Sequence, residues 1–91
     1  MTVTVRVPAQ LRTLTGGAGE VVVEGDTVGS VLKALDTEHP GFAERVFDDK
    51  GELRRFVNVF LADEDVRFLG GLATPVAPGQ TVSIVPAVAG G

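Results

Sequence analysis

The sequence contains no cysteine, tryptophan or tyrosine, and only one histidine. The lack of cysteine excludes disulfides, thiolate metal ligands and a thiol nucleophile, and one histidine cannot form a multi-histidine site. Long apolar runs are also missing: no stretch of about 18 apolar residues could span a membrane, and the first residues alternate where a signal peptide would be continuously apolar. We therefore expect a cytoplasmic protein without a membrane partner.

Positive charge is scarce as well. Eight lysines and arginines stand against twelve aspartates and glutamates, so the formal net charge is -4. This balance disfavours a nucleic-acid partner, because nucleic-acid phosphates repel an acidic protein. The 91 residues, 44% of them hydrophobic, are enough for one ordinary globular domain.

Motifs that bind nucleotides or metal ions are absent from the sequence. Neither lysine lies in a GxxxxGK[ST] loop, and the glycines between residues 16 and 19 do not form a GxGxxG fingerprint. The acidic run 63–65 lacks the further oxygen ligands and the glycine of a calcium loop, so we interpret it as a solvated turn rather than a metal site. His39 precedes a proline and has no evident catalytic partner, so we interpret it as a helix end rather than an acid-base residue.

Two strands and a helix are predicted in the first half of the chain. Residues 2–7 alternate valine with polar residues, and three consecutive valines within 20–24 indicate a second strand that completes a hairpin. Aliphatic residues at i, i+3, i+4 and i+7 from Val28 predict a helix with one buried face. Asp26 or Thr27 is its natural N-cap, and a short second helical turn is predicted at 42–47.

The second half is predicted to be mostly strand. Residues 55–62 form the strongest candidate, and its uniformly apolar face is assigned to the core: Val57, Val59 and Leu61. Phe56 and Phe60 then lie on the open face, where exposed aromatics often mark a protein contact; a wrong face assignment or a covering loop is the alternative. A short strand at 66–68 and a last strand at 81–85 complete an α+β domain with a helix across one face of a mixed sheet.

The sequence ends in six small, uncharged residues, Pro86 to Gly91. When extended, six residues span up to about 20 Å, and glycine lets a backbone pass through a narrow channel. This suits a chain whose own terminal carboxylate is the reacting group, although an inert terminus is the alternative. A carboxylate becomes reactive towards a sulfur donor after conversion into a better leaving group, such as an acyl-adenylate, and a partner enzyme would supply that chemistry.

With these motifs the chain resembles the ubiquitin-like sulfur carriers of the ThiS/MoaD superfamily, and most closely the CysO type. The segments that carry the resemblance are residues 25–32, 55–58, 63–68, 70–74 and 86–91. The resemblance implies an α+β, β-grasp (ubiquitin-like) fold, a mixed sheet with one main helix packed across one face. Residues 1–86 would form this domain, and residues 87–91 a flexible C-terminal diglycine tail.

The resemblance also implies a reacting group. The carboxylate of Gly91 would be adenylated by an ATP-dependent E1-like enzyme and converted to a thiocarboxylate, so that the chain is a carrier of sulfur rather than an enzyme. The residues that would enter the partner's active site are Ala87, Val88, Ala89 and Gly90. Phe56 and Phe60 become candidate docking residues, and the chain itself would bind no metal and no cofactor.

The implied partners beyond the activating enzyme are a sulfur-accepting synthase, of the pyridoxal-phosphate cysteine synthase or thiosugar synthase type, and a zinc metalloprotease that releases new cysteine. ATP, pyridoxal phosphate and zinc would all belong to these partners. Three alternatives stay open: a ubiquitin-like modifier conjugated through its diglycine end, a MoaD-like small subunit of molybdopterin synthase, and an interaction domain with an inert tail. We expect the free chain to be a monomer.

Overall fold

The structure is a computed structural model that describes residues 2–54 and 57–86. Its strands and helices, in chain order, are β1 Thr2–Arg6, β2 Glu20–Glu24, α1 Val28–Glu38, α2 Phe42–Val46, β3 Val57–Leu61, β4 Glu64–Asp65 and β5 Thr81–Pro86. Short 3-10 helices span Ala9–Thr15, Val66–Phe68 and Gly71–Ala73. Within the described residues, no helix combines the length and the apolar character that a membrane span requires.

The five strands form one mixed sheet in the order β2-β1-β5-β3-β4. β1 and β2 make the predicted antiparallel hairpin. β5 pairs in parallel with β1 and antiparallel with β3, so the strand that leads to the C-terminus lies at the centre of the sheet. β1 pairs with β5 only as far as Ser83, whereas β3 pairs with it to Pro86, so the end of β5 is held by its pairing with β3.

Helix α1 begins and ends where its sequence predicts. Thr27 is the N-cap: its Oγ1 accepts a hydrogen bond from the backbone N–H of Ser30 at 3.1 Å, and Ser30 Oγ accepts one from the N–H of Thr27 at 3.0 Å. This reciprocal pair satisfies two amides at the start of the helix. The helix ends at His39, whose N–H donates to the carbonyl of Leu35 at 2.8 Å, which confirms the interpretation of His39 as a helix end.

The core lies between α1 and one face of the sheet, and the predicted faces are confirmed. The buried side chains that fill it include Val3, Val5, Val7, Val23, Val28, Val31, Leu32, Leu35, Val57, Val59, Leu61, Val82 and Ile84. Apolar burial of this kind contributes about 25 cal/mol per Å² and is the main stabilising term of a small domain. The architecture is the mixed sheet with one main helix across it that the β-grasp prediction describes.

The segment after β3 differs from its prediction. The turn is Ala62–Asp63, and the next two residues, predicted as part of the turn, form the short strand β4 against Phe60 and Leu61. Residues 66–68, predicted as a strand, form a 3-10 helix, because Asp65 Oδ1 accepts the backbone N–H of Arg67 at 2.9 Å. Such a local bond between a side chain and the backbone competes with strand pairing.

Candidate functional site

Most of the predicted site lies outside the described residues. This holds for Gly91, for the tail residues Ala87, Val88, Ala89 and Gly90, and for Phe56. The structure does place the point from which the tail leaves, residues 85 and 86 at the end of β5, which we call the tail root. There Val85 lies opposite Asn58, and the backbone of Pro86 lies opposite Val57.

The Arg67 side chain makes three hydrogen bonds at the start of β3, next to the tail root. Its Nη2 donates to the carbonyl of Arg54 at 2.7 Å and to that of Val57 at 2.8 Å, while Nη1 donates to Asn58 Oδ1 at 2.7 Å. The planar guanidinium suits this arrangement, because its donors form a rigid fork that a lysine does not have. One side chain thus connects the 3-10 helix 66–68 with the two residues that pair with the tail root.

The backbone explains why an arginine is needed at this edge. β4 is only two residues long and pairs with Phe60 and Leu61, so it does not extend along β3 as far as Val57. A carbonyl at an uncovered edge needs another donor, water or a side chain, to replace the missing strand. The guanidinium of Arg67 supplies that donor and keeps β3 paired with β5 up to Pro86.

The contact between Asn58 and Arg67 is not predicted by the sequence patterns. Asn58 is a polar residue on an otherwise apolar strand, and Arg67 follows the acidic run 63–65. An amide on the open face of a strong strand is nevertheless a signal, because a half-buried amide requires a hydrogen-bond partner. Both residues belong to the middle segments on which the resemblance was based.

Phe60 lies on the sheet face opposite α1, as predicted, with its neighbours Val59 and Leu61 in the core. Its side chain is half-buried rather than freely exposed. Val85 at the tail root is 44% exposed, and Phe68, which the sequence placed in a strand, is 87% exposed. The role of Phe60 in docking stays a prediction, and Val85 and Phe68 are further apolar side chains that a partner could cover.

Within residues 2–54 and 57–86, no three histidine, aspartate or glutamate side chains come together in a way that could hold a metal ion. Asp48 is the one group there whose pKa clearly departs from its ordinary value: its carboxylate accepts the backbone N–H groups of Glu52 and Lys50, which lowers the pKa. These bonds close the turn that leads towards β3. They give Asp48 a structural role.

Comparison with known proteins shows similarity to one protein family over almost the whole chain. The model of the ThiS family matches residues 5–91, a range that includes the terminal Gly90 and Gly91. The sulfur carrier protein CysO of Mycobacterium tuberculosis is 52% identical over 93 residues, with all of both chains covered. Small archaeal modifier protein 3 of Haloferax volcanii is 45% identical over 65 residues, which cover 71% of this chain and 70% of the modifier.

A solved structure extends the likeness to three dimensions. A chain in the crystal structure of the Amycolatopsis orientalis BexX/CysO complex superposes with a TM-score of 0.92 at 46% identity, covering 98% of this chain and 99% of that one. The two chains therefore share sequence as well as fold over nearly their whole length.

Proposed function

The chain belongs to the ThiS family and is a sulfur carrier of the CysO type, and from this membership we propose that the carboxylate of Gly91 is the group that carries the sulfur. The observation that carries the proposal is that the family match continues through Gly90 and Gly91 to the last residue. A carrier needs no catalytic cluster of its own, because the reacting carbon belongs to its backbone.

The proposed chemistry has two steps, both in the active site of a partner. A carboxylate oxygen of Gly91 attacks the α-phosphorus of ATP, and pyrophosphate leaves, which gives an acyl-adenylate. A sulfur nucleophile, written here as hydrosulfide, then attacks the carbonyl carbon, AMP leaves with its electron pair, and one proton is released. The product is the Gly91 thiocarboxylate, and the partner is an E1-like enzyme that holds the ATP.

The fold supports this role by the position of β5. Five residues follow Pro86, and in an extended conformation they reach about 17 Å, so Gly91 can enter a deep active site while the domain stays outside. The alanines and glycines of the tail suit a narrow channel. Because β5 stays paired with β3 up to Pro86, the domain can hold the tail root in place while a partner acts on the other end of the tail.

A second protein is proposed as sulfur acceptor. The structure of a CysO chain in complex with BexX supports the idea that such carriers bind a second protein. The acceptor of this chain would be a pyridoxal-phosphate cysteine synthase or a thiosugar synthase, and for cysteine a zinc metalloprotease would release the product. ATP, pyridoxal phosphate and zinc are then held by partners, and the cycle takes place in the cytoplasm.

A second candidate function is protein modification, because small archaeal modifier protein 3 is 45% identical over 65 residues. In that case a lysine amine would attack the carbonyl carbon of the same acyl-adenylate, AMP would leave with its electron pair, one proton would be released, and an isopeptide bond would form. The two functions differ in their products. A modifier accumulates as conjugates of higher mass on other proteins, whereas a sulfur carrier ends as a free chain.

The proposal is tested with tail variants in an ATP–pyrophosphate exchange assay with the adenylating enzyme of the same organism. Deletion of Gly91, or addition of one alanine after it, displaces the carboxylate without touching the core. We expect both variants to lose exchange and to keep the melting temperature of the unchanged chain. Exchange at the unchanged rate in either variant would contradict the assignment of Gly91.

A further inference from the structure

Charge is distributed unevenly along the strands. The acidic residues at the sheet end remote from the tail root are Glu24, Asp26, Asp63, Glu64 and Asp65. The segments that carry them, residues 22–28 and 61–66, contain no lysine or arginine. With five of the twelve acidic residues at this end, the rest of the chain carries seven acidic residues against eight lysines and arginines and is close to neutral.

Arginines stand on both sides of the tail root. On the β1 side, Arg6 lies opposite Ser83 of β5, and Arg12 reaches the end of β1, where its Nε donates to the carbonyl of Val7 at 3.1 Å. On the β3 side, Arg67 binds the carbonyl of Val57, the residue opposite Pro86. Arg6 lines one groove together with Val85, and Val57 pairs with Pro86, so Arg6 and Arg67 lie near the tail root on its two sides.

Two carboxylates lie among these arginines but do not cancel them. Glu20 pairs with Arg6, with a distance of 3.4 Å between Arg6 Nε and Glu20 Oε2, and both side chains are more than 60% exposed. An exposed pair of this kind is weak, so Arg6 can exchange Glu20 for a partner's carboxylate. Glu52 lines a groove together with Arg67 on the helix side.

A groove beside the root adds an independent observation. Its volume is about 350 Å³, and its lining residues are Arg6, Val7, Pro8, Gln10, Ser83, Ile84 and Val85. The groove combines apolar surface, including the exposed Val85, with the cationic group of Arg6. Such a combination fits a protein side chain that has both a carboxylate and an apolar stem, such as glutamate.

We infer that the tail root, with arginines on both sides, docks on an acidic surface of the activating enzyme. This surface surrounds the entrance of the channel that receives the tail, and the inference rests on the proposed function. The reach of the tail favours carboxylates over the phosphates of ATP. With the tail extended, Gly91 and the nucleotide lie about 17 Å beyond Pro86, which is too far for Arg6 or Arg67 to contact a phosphate. The acidic surface of the enzyme would repel the acidic end of the sheet, so that the carrier approaches the enzyme with its tail root first.

The test measures kcat and KM for this chain in ATP–pyrophosphate exchange with the adenylating enzyme of the same organism. Arg6→Glu reverses one charge beside the root, and Lys33→Glu makes the same change in net charge on the exposed side of α1, away from the sheet. We expect Arg6→Glu to raise the KM for the carrier about tenfold at low salt with kcat unchanged. Lys33→Glu should change it less than twofold.

A second variant gives an effect of opposite sign. Glu20→Gln removes the intramolecular competitor of Arg6, so we expect the KM for the carrier to fall two- to threefold, roughly the effect of a weak exposed ion pair. All differences should shrink at about 0.5 M salt, where screening acts over a few ångströms. The Glu20→Gln result keeps the inference testable even if Arg6→Glu perturbs the hairpin.

The remaining outcomes overturn the inference in distinct ways. Equal effects of Arg6→Glu and Lys33→Glu would mean that only net charge matters. A change in the KM for ATP or in kcat, with the carrier KM unchanged, would mean that Arg6 acts on the nucleotide. If the unchanged chain supports no exchange with an enzyme that adenylates another carrier, the proposed function itself fails.

Discussion

Replacement of Arg67 by methionine tests the structural account of the tail root. The substitution keeps most of the side-chain length but removes three hydrogen bonds, to the carbonyls of Arg54 and Val57 and to Asn58 Oδ1. A bond to a charged donor is worth about 1.5–3 kcal/mol when desolvated. Arg67 is exposed, and water can replace part of the lost bonds, so we expect a total loss of about 2 kcal/mol.

The loss can be measured by urea unfolding at neutral pH. For a domain of this size, 2 kcal/mol corresponds to a fall in Tm of roughly 10 °C. Arg45→Met on α2 is the matched control, because the exposed Arg45 side chain makes no hydrogen bond to the described residues, and it should cost less than about 0.5 kcal/mol. Hydrogen exchange should increase most at the amides that join Asn58 and Val85.

A double-mutant cycle on Asn58 and Arg67 tests whether the two side chains stabilise the fold through their mutual hydrogen bond. Asn58→Ala should cost less in the Arg67→Met background than in the unchanged chain, with a coupling energy of about 1 kcal/mol, because the pair is already broken. Strict additivity, or a loss of less than about 0.5 kcal/mol for Arg67→Met, would refute the view that this guanidinium replaces a missing strand.

Three other predictions concern a close approach, a titration and a docking residue. Gly25→Ala should lower the free energy of unfolding by about 1–3 kcal/mol, because its Cβ would lie 2.7 Å from Val31 Cγ2; unchanged urea unfolding would contradict that packing. The pKa of Asp48 lies below its ordinary 3.8, so its contribution to stability is present above that pH and is lost as the pH falls through the lowered pKa. The Tm difference between the unchanged chain and Asp48→Asn should therefore disappear in acid, and a difference that persists there would oppose this cause. Phe60→Ala should cost about 2 kcal/mol, since the ring is half-buried, and should also raise the KM for the carrier; an unchanged KM would remove Phe60 from the docking surface.

The helix and the core could be predicted because their signals are local. The spacing of Val28, Val31, Leu32 and Leu35 and the cap at Thr27 are read from consecutive residues, and the structure confirms them. The alternation in β1 and β3 likewise assigns a face to each side chain without knowledge of the partner strand. The resemblance supplied what alternation does not, the mixed β-grasp topology.

The tail root could not be predicted because its contacts are distant in sequence. Arg67 contacts Arg54, thirteen residues earlier, and the reversal of the chain between β3 and β4 brings the two residues together. The sequence predicts a strand instead of the 3-10 helix 66–68 for a related reason: Asp65 can either accept a hydrogen bond from a following amide or continue a strand, and β4 ends at Asp65. Pairwise contacts of this type follow from topology rather than from composition.

The central claim is that Gly91 carries the sulfur, and the most direct test is the intact mass of the chain after incubation with MgATP, sulfide and the adenylating enzyme of the same organism. We predict a mass gain equal to the exchange of one oxygen for one sulfur, located by fragmentation to the last residue and absent from the chain that lacks Gly91. An unchanged mass, with an enzyme that converts another carrier in the same mixture, would contradict the account.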